Sequence, residues 1–286
     1  MLPLNSGTHS QNGSLPRAYA PPAASAPAPP QRGGTAPPPS GGSYAPGLVS
    51  LSTSDTGHSP HPVSVGDLRM GRVRRGVLSA ASVIERDLQS SGVRYRAALV
   101  TCTYRPGVDW SPRHLTSSLK ALREWSRRRG CWFRYVWRLE FTKAGVPHFH
   151  IVVWLPRGVT MPLWDKQGWW SHGMTNAKWA RRPVGYIAKY AAKAADWPPG
   201  TSGTGGARWF GAGGLSHALR LLARWAAAPQ WLQLMGWERD TPLRRQGSRW
   251  HVGAWLLRSP WGVRDLTGGV LEFFWRGWNA DSMELA

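Results

Sequence analysis

The clearest pattern in the chain is an alternation of apolar and polar residues on both sides of a short turn. From 133 to 141 every odd-numbered residue is apolar, and the odd positions from 149 to 155 are apolar again. A period of two is typical of half-buried β-strands. Gly145 supplies the backbone freedom that a short hairpin loop needs. The pattern therefore predicts a β-hairpin whose odd-numbered residues pack a core.

The even-numbered positions of this hairpin form a candidate metal site. If the loop is centred near Ala144, Glu140 lies opposite His148. Opposed residues share a face, with Cβ atoms about 5 Å apart, so Glu140, His148 and His150 are expected to converge. Two imidazoles and a carboxylate suit a divalent cation that keeps a coordination position open for a substrate oxygen. On these residues alone the alternative stays open, because many His-x-His pairs occur by chance on solvated strand faces.

Helical spacing, alternation and turn residues predict the other elements of the chain. They are a helix within 63–92, a strand over 95–104, a helix over 111–129, a Trp- and Gly-rich loop over 156–182, a helix over 183–195, a linker over 198–206, a helix over 215–227, and a hairpin of 231–237 with 250–257. We expect no particular role for His172 in the long loop.

Composition divides the chain into two kinds of material. Residues 1–62 carry 13 of the 24 prolines and only three charged residues, a composition that predicts a disordered tail. The formal net charge is +21, and almost all of it lies beyond this tail, so a polyanion is the expected partner. Two cysteines exclude a disulfide framework. We expect a cytoplasmic protein without a membrane span, since no apolar run is long enough.

A second candidate site lies on the predicted helix over 183–195. Tyr186 and Tyr190 are four residues apart and so share one helix face, and Lys189 and Lys193 each follow a tyrosine by three residues. A tyrosine hydroxyl, with an ordinary pKa of about 10, is a weak nucleophile that needs activation. A divalent ion on a phosphate oxygen and a nearby lysine would supply it. Core packing by both tyrosines is the open alternative.

The order of these motifs resembles that of a known family. The chain is similar to rolling-circle replication initiators of the HUH endonuclease superfamily, of the two-tyrosine type found in single-stranded DNA phages and some plasmids. The matching segments are Leu99-Val-Thr-Cys-Thr103, His148-Phe-His150, Tyr186-Ile-Ala-Lys-Tyr190 and Arg208-Trp-Phe-Gly211. The likeness covers about residues 95–211.

The resemblance implies an α+β fold, with a ferredoxin-like or RRM-like antiparallel sheet, helices on one face and the active site on the other. It implies Mg²⁺ or Mn²⁺ as the metal, with Glu140, His148 and His150 as ligands. A catalytic tyrosine would attack a phosphodiester of single-stranded origin DNA, giving a 5′-phosphotyrosine link and a free 3′-OH. Residues 63–200 would form the endonuclease domain, and 201–286 a Trp-rich α/β extension.

The remaining predictions concern DNA binding and partners. Arg134 and Arg138 share the metal face by alternation, so we predict that both contact phosphate and that loss of either flattens the salt dependence of binding. Thr101 and Thr103 complete the predicted DNA-binding residues. No phosphate-binding helicase motif is found, so a helicase and polymerase of a bacterial host are the expected partners.

Two other functional classes stay open. A two-tyrosine HUH transposase would use the same chemistry on transposon ends, although the Cys-rich zinc region usual in such proteins is lacking here. A non-catalytic nucleic-acid-binding module would rely on basic charge and on the 19 tryptophans, with the two histidines incidental. Metal-dependent nicking separates an enzyme from such a module.

Overall fold

The computed structural model describes residues 63–142, 144–192, 208–268, 270–277 and 282–285. The predicted tail over 1–62, the linker over 198–206 and Lys193 lie outside these residues. In chain order the elements are β1 (Val63–Ser64), α1 (Val65–Ser90), β2 (Tyr95–Tyr104), α2 (Pro112–Arg128), β3 (Arg134–Phe141), β4 (Pro147–Pro156), β5 (Gly173–Ala180), α3 (Pro183–Ala192), β6 (Phe210–Gly213), α4 (His217–Ala227), α5 (Gln230–Gln233), β7 (Leu243–Gln246), β8 (Arg249–Val252), β9 (Trp255–Arg258), β10 (Trp261–Asp265), β11 (Val270–Trp275) and β12 (Met283–Leu285).

A five-stranded antiparallel sheet, in the order β5-β2-β4-β3-β6, carries the predicted hairpin. Its central strands β2 and β4 are long and rich in β-branched and aromatic residues, which suit a buried pleated surface. The α+β class is confirmed. Strand β5 corrects the sequence prediction, which assigned 156–182 to a loop. Its alternation is weak because it is an edge strand, and its structure depends on hydrogen bonding to β2.

Both faces of this sheet are covered, whereas the sequence analysis expected helices on one face only. Helix α2 begins at the N-cap Ser111, as predicted, and packs Leu115, Leu119 and Leu122 against one face. Helices α1 and α3 pack on the opposite face, over a second core that includes Val152. The reason is visible in β4, where residues of both parities are apolar, so each face needs a cover.

The C-terminal part forms two smaller sheets, in the orders β12-β9-β8-β7 and β1-β11-β10. The predicted hairpin of 231–237 with 250–257 was wrong. Residues Gln230–Gln233 are helical, and the basic segment predicted as a connector contains β7, which pairs with β8. Gly247, with φ +59 in the turn between β7 and β8, provides the positive φ that tight hairpins favour. No helix in the described ranges combines the length and apolar character needed to cross a membrane.

Candidate metal and tyrosine site

The register of β3, β4 and β2 brings the predicted site residues onto one face of the sheet. Glu140 is the cross-strand partner of His148, and Arg138 that of His150. This confirms the register predicted from the sequence. On the other side of β4, Thr103 is paired with His148 and Thr101 with His150. Two rows of side chains therefore run across the strands, and each row contains one of the histidines.

Glu140 and His150 are in direct contact within this face. His150 Nε2 lies 2.7 Å from Oε2 of Glu140, and the other ring nitrogen, Nδ1, lies 3.4 Å from the hydroxyl of Thr101. His150 is only 5% exposed. A histidine held by a partner on each nitrogen has a fixed ring orientation, which is the usual arrangement of a metal-binding histidine and its neighbours.

The fit of this group to a divalent cation is partial in the geometry present. Among the described residues, no set of three or more His, Cys, Asp or Glu side chains is arranged to hold a metal ion. The 2.7 Å between His150 Nε2 and the Glu140 carboxylate is nevertheless close to the roughly 3 Å between adjacent ligand atoms of an octahedral ion with bonds of about 2.1 Å. The rings of His148 and His150 are 6.2 Å apart, so His148 would have to rearrange to become a third ligand.

Helix α3 places both tyrosines beside these residues. Ile187 and Ala191 are buried against the sheet, as the helical spacing predicted, and this docking turns the tyrosine face toward β4. The ring of Tyr190 stacks on the ring of His150, with centroids 3.7 Å apart and planes inclined by 20°. The hydroxyl of Tyr190 donates to that of Tyr186 across 3.3 Å. Lys189 is exposed on the same helix.

The surroundings of Tyr190 favour the neutral phenol. Burial raises the pKa of Tyr190, and the hydrogen bond to Tyr186, the negative charge of an ionised Tyr186 and the Glu140 carboxylate raise it further. Each of these contributions opposes negative charge on the hydroxyl oxygen. A cation beside Glu140 would act in the opposite direction.

The two arginines on this face do not have the exposure that the sequence analysis expected. Arg138 is 0% exposed, and its Nε donates to the main-chain oxygen of Tyr190 across 2.8 Å. Burial lowers the pKa of Arg138 to about 10, although Glu140 counteracts this effect. Arg134 forms an ion pair with Asp87 of α1. The prediction that both contact phosphate is corrected here, because α1 and α3 cover the sheet where these side chains lie.

Comparison with protein families gives one match, over residues 97–195, to the family model described as replication-associated protein ORF2. The match supports a replication initiator. It covers about a third of the chain and includes most of β2, the hairpin of β3 and β4, and α3. Every described side chain of the candidate site therefore lies within it. The comparisons with curated proteins and with solved structures gave no match.

Sequence reasoning missed two features near the site. Strand β5 pairs with β2 and so extends the site face by one strand. On the opposite face, His172, for which no role was expected, stacks on His114 with ring centroids 3.6 Å apart. The weak alternation of exposed residues in β5 was the only local signal of the first feature. The second has no local signal, because the two histidines are far apart in the sequence.

Proposed function

We propose that the chain nicks and joins single-stranded DNA at a replication origin, as a two-tyrosine HUH endonuclease that initiates rolling-circle replication. The stacking of Tyr190 on His150 is the observation that carries this proposal, because His150 itself contacts Glu140 at 2.7 Å. A potential nucleophile thus lies against the imidazole–carboxylate pair best suited to bind a cation. The match to a replication-associated family over 97–195 supports the same function.

Glu140, His148 and His150 would hold Mg²⁺ or Mn²⁺, with Thr101 orienting the His150 ring. The ion, when bound, would polarise a phosphate oxygen and offset the charge that develops in the transition state. The carboxylate of Glu140 contributes the negative charge that such an ion requires, and the burial of His150 limits competing water.

Tyr190 would attack first, since it is the tyrosine in contact with His150. Its hydroxyl oxygen forms a bond to phosphorus, and the bond from phosphorus to the 3′ oxygen breaks. The phenol loses its proton and the departing 3′ oxygen gains one, which leaves a 5′-phosphotyrosine and a free 3′-OH. Lys189, exposed next to Tyr190 in the chain, would stabilise the charged phosphate. Lys193 has the same proposed role.

Tyr186 would carry out a second strand transfer. Its hydroxyl accepts from that of Tyr190 at 3.3 Å, so both nucleophiles are close to one phosphate position. The reverse reaction, attack of a 3′-OH on the phosphotyrosine, joins DNA ends and releases the tyrosine. Unwinding and synthesis would depend on a host helicase and a host polymerase.

The test is to incubate the chain with a randomised single-stranded DNA library in Mn²⁺ or in EDTA and to isolate protein-linked 5′ ends. We expect a covalent adduct that requires the metal. Tyr190→Phe should abolish the first adduct, Tyr186→Phe should retain it but block the second transfer, and the double variant should form none.

The same experiment separates the other classes. Binding without any adduct across the library would contradict the proposal and favour a non-catalytic module. Cut sites that resemble transposon ends rather than an origin would favour a two-tyrosine transposase. An adduct that persists in the double tyrosine variant would exclude both tyrosines as the nucleophile.

A further inference from the structure

The face that carries the candidate site continues past β2 onto β5, the edge strand of the sheet. Asn176 is the cross-strand partner of Thr101, which in turn faces His150, and Met174 is related to His148 in the same way through Thr103. Adjacent strands lie about 4.8 Å apart. Asn176 and Met174 are therefore about 10 Å from the two histidines, on the same side of the sheet.

Unlike the rest of this face, the β5 part is open to solvent. Leu99 of β2 is buried under the helical layer, whereas its partner on β5, Lys178, is exposed. Met174 is 68% exposed and Asn176 is exposed as well. An exposed apolar side chain of this size beside polar groups is a common feature of binding surfaces.

Positive charge concentrates where β5 leads into the tyrosine helix. Lys178, Arg181 and Arg182 are all exposed, and within the described part of the chain none of them forms an ion pair. The carboxylate that does contact β5, that of Asp165, accepts from Thr175 on the opposite face. The site-facing side of β5 is therefore cationic, and it directly precedes the helix that presents Tyr190.

We propose that Met174, Asn176, Lys178, Arg181 and Arg182, here named the β5 surface, bind the single-stranded DNA next to the scissile phosphate and determine which sequence is cut. This inference rests on the proposed function. Lysine and arginine bind phosphates, an asparagine amide reads the edge of an unstacked base, and a methionine side chain packs adaptably against a base face. The three chemistries occur together here within reach of the nucleotides that flank a phosphate at His150.

The first arm of the test measures binding to labelled oligothymidylate at several salt concentrations. The Tyr186→Phe/Tyr190→Phe background prevents cutting, and Lys178, Arg181 and Arg182 are replaced together by alanine. For single strands, each lost phosphate contact should reduce the slope of log affinity against log salt by about 0.7. The matched control is Lys120→Ala, because Lys120 is exposed on α2, which covers the opposite face of the sheet.

The second arm measures sequence preference. The chain with Met174→Ala/Asn176→Ala cuts the randomised library, and the bases flanking the cut are sequenced. We expect the preference at one or more flanking positions to fall about fivefold or more, with no change in Lys120→Ala. Since all five side chains are exposed, the variants should keep the parent's thermal unfolding.

An unchanged salt slope in the triple variant, or an unchanged base preference in the double variant, would overturn the inference. An unchanged result in both arms would leave the β5 surface as a candidate site for an acidic protein partner. If the parent chain cuts nothing, the proposed function fails, and sequencing of the library molecules that remain bound then tests the β5 surface independently.

Discussion

The guanidinium of Arg138 donates from Nε to the main-chain oxygen of Tyr190 across 2.8 Å. Arg138 is fully buried on β3, and its cross-strand partner is His150, on which the Tyr190 ring stacks. This single bond therefore links the sheet that carries the candidate metal ligands to the helix that carries the candidate nucleophile. Arg138 is a positioning residue for Tyr190 rather than a DNA contact.

Arg138→Met should separate positioning from DNA binding. A buried hydrogen bond to a charged donor is lost, so we expect the free energy of unfolding to fall by about 1.5–3 kcal/mol, measured by urea denaturation. The rate of adduct formation should fall as well. The salt slope of single-stranded DNA binding should stay unchanged, because a fully buried guanidinium contacts no phosphate. Arg138→Lys, which retains a donor, should recover part of the rate. A flattened salt slope in Arg138→Met would instead restore the prediction made from the sequence.

Metal binding should stabilise the fold through Glu140 and His150. At a Mn²⁺ concentration of about 100 times the dissociation constant, the expected gain in the free energy of unfolding is about 2.7 kcal/mol, seen as a rise in Tm relative to EDTA. Glu140→Gln and His150→Gln should each lose this gain. His251→Gln should keep it, since His251 pairs with Gln246 at a distant hairpin. An equal metal-dependent rise in all three variants would contradict the assignment of the ligands.

Two glycines of α1 should respond in opposite ways to the same substitution. A Cβ at Gly76 would lie 2.2 Å from the Phe210 ring, whereas the nearest neighbour of a Cβ at Gly71 is Arg75 Nη1 at 3.8 Å. Gly71→Ala should stabilise by up to about 1 kcal/mol through helix propensity. Gly76→Ala should destabilise by about 1–3 kcal/mol through overpacking. Urea denaturation measures both. Equal stabilisation would show that Phe210 does not pack on α1 as described.

The stacked pair of His114 and His172 should make stability depend on pH. Burial lowers the pKa of both imidazoles, and His114 and Arg105 lower that of His172 further. Their folded values therefore lie below the ordinary 6.5, so the unfolded chain binds more protons in that window. The stabilisation is complete above 6.5 and is lost as the pH falls below it.

His172→Phe tests this dependence because it keeps an aromatic ring against His114 and removes one titrating group. We expect the variant to lose less free energy of unfolding than the parent when the pH is lowered through this window. His251→Gln, which removes an imidazole elsewhere, should behave like the parent. An identical pH dependence in His172→Phe and the parent would exclude a contribution from the pair.

Several elements were determined by local sequence alone. The period-two alternation and the turn at Gly145 specified the hairpin and its register, so the pairing of Glu140 with His148 was predicted correctly. A serine cap and a proline in the first turn specified the start of α2, and helical spacing specified the buried side of α3. Such features depend on backbone geometry and on the burial of one face, both of which a short stretch of sequence encodes.

The tertiary structure decided the rest. Strand β5 forms because β2, roughly 70 residues earlier in the chain, supplies its hydrogen-bond partners. Arg138 shares a face with the metal ligands by alternation, but only the docking of α1 and α3 determines that it is buried rather than exposed. Alternation assigns a side chain to a face, whereas its solvent exposure depends on which distant segments cover that face. For this chain, the sequence determined the candidate ligands and nucleophiles, and long-range packing determined which of their neighbours DNA can reach.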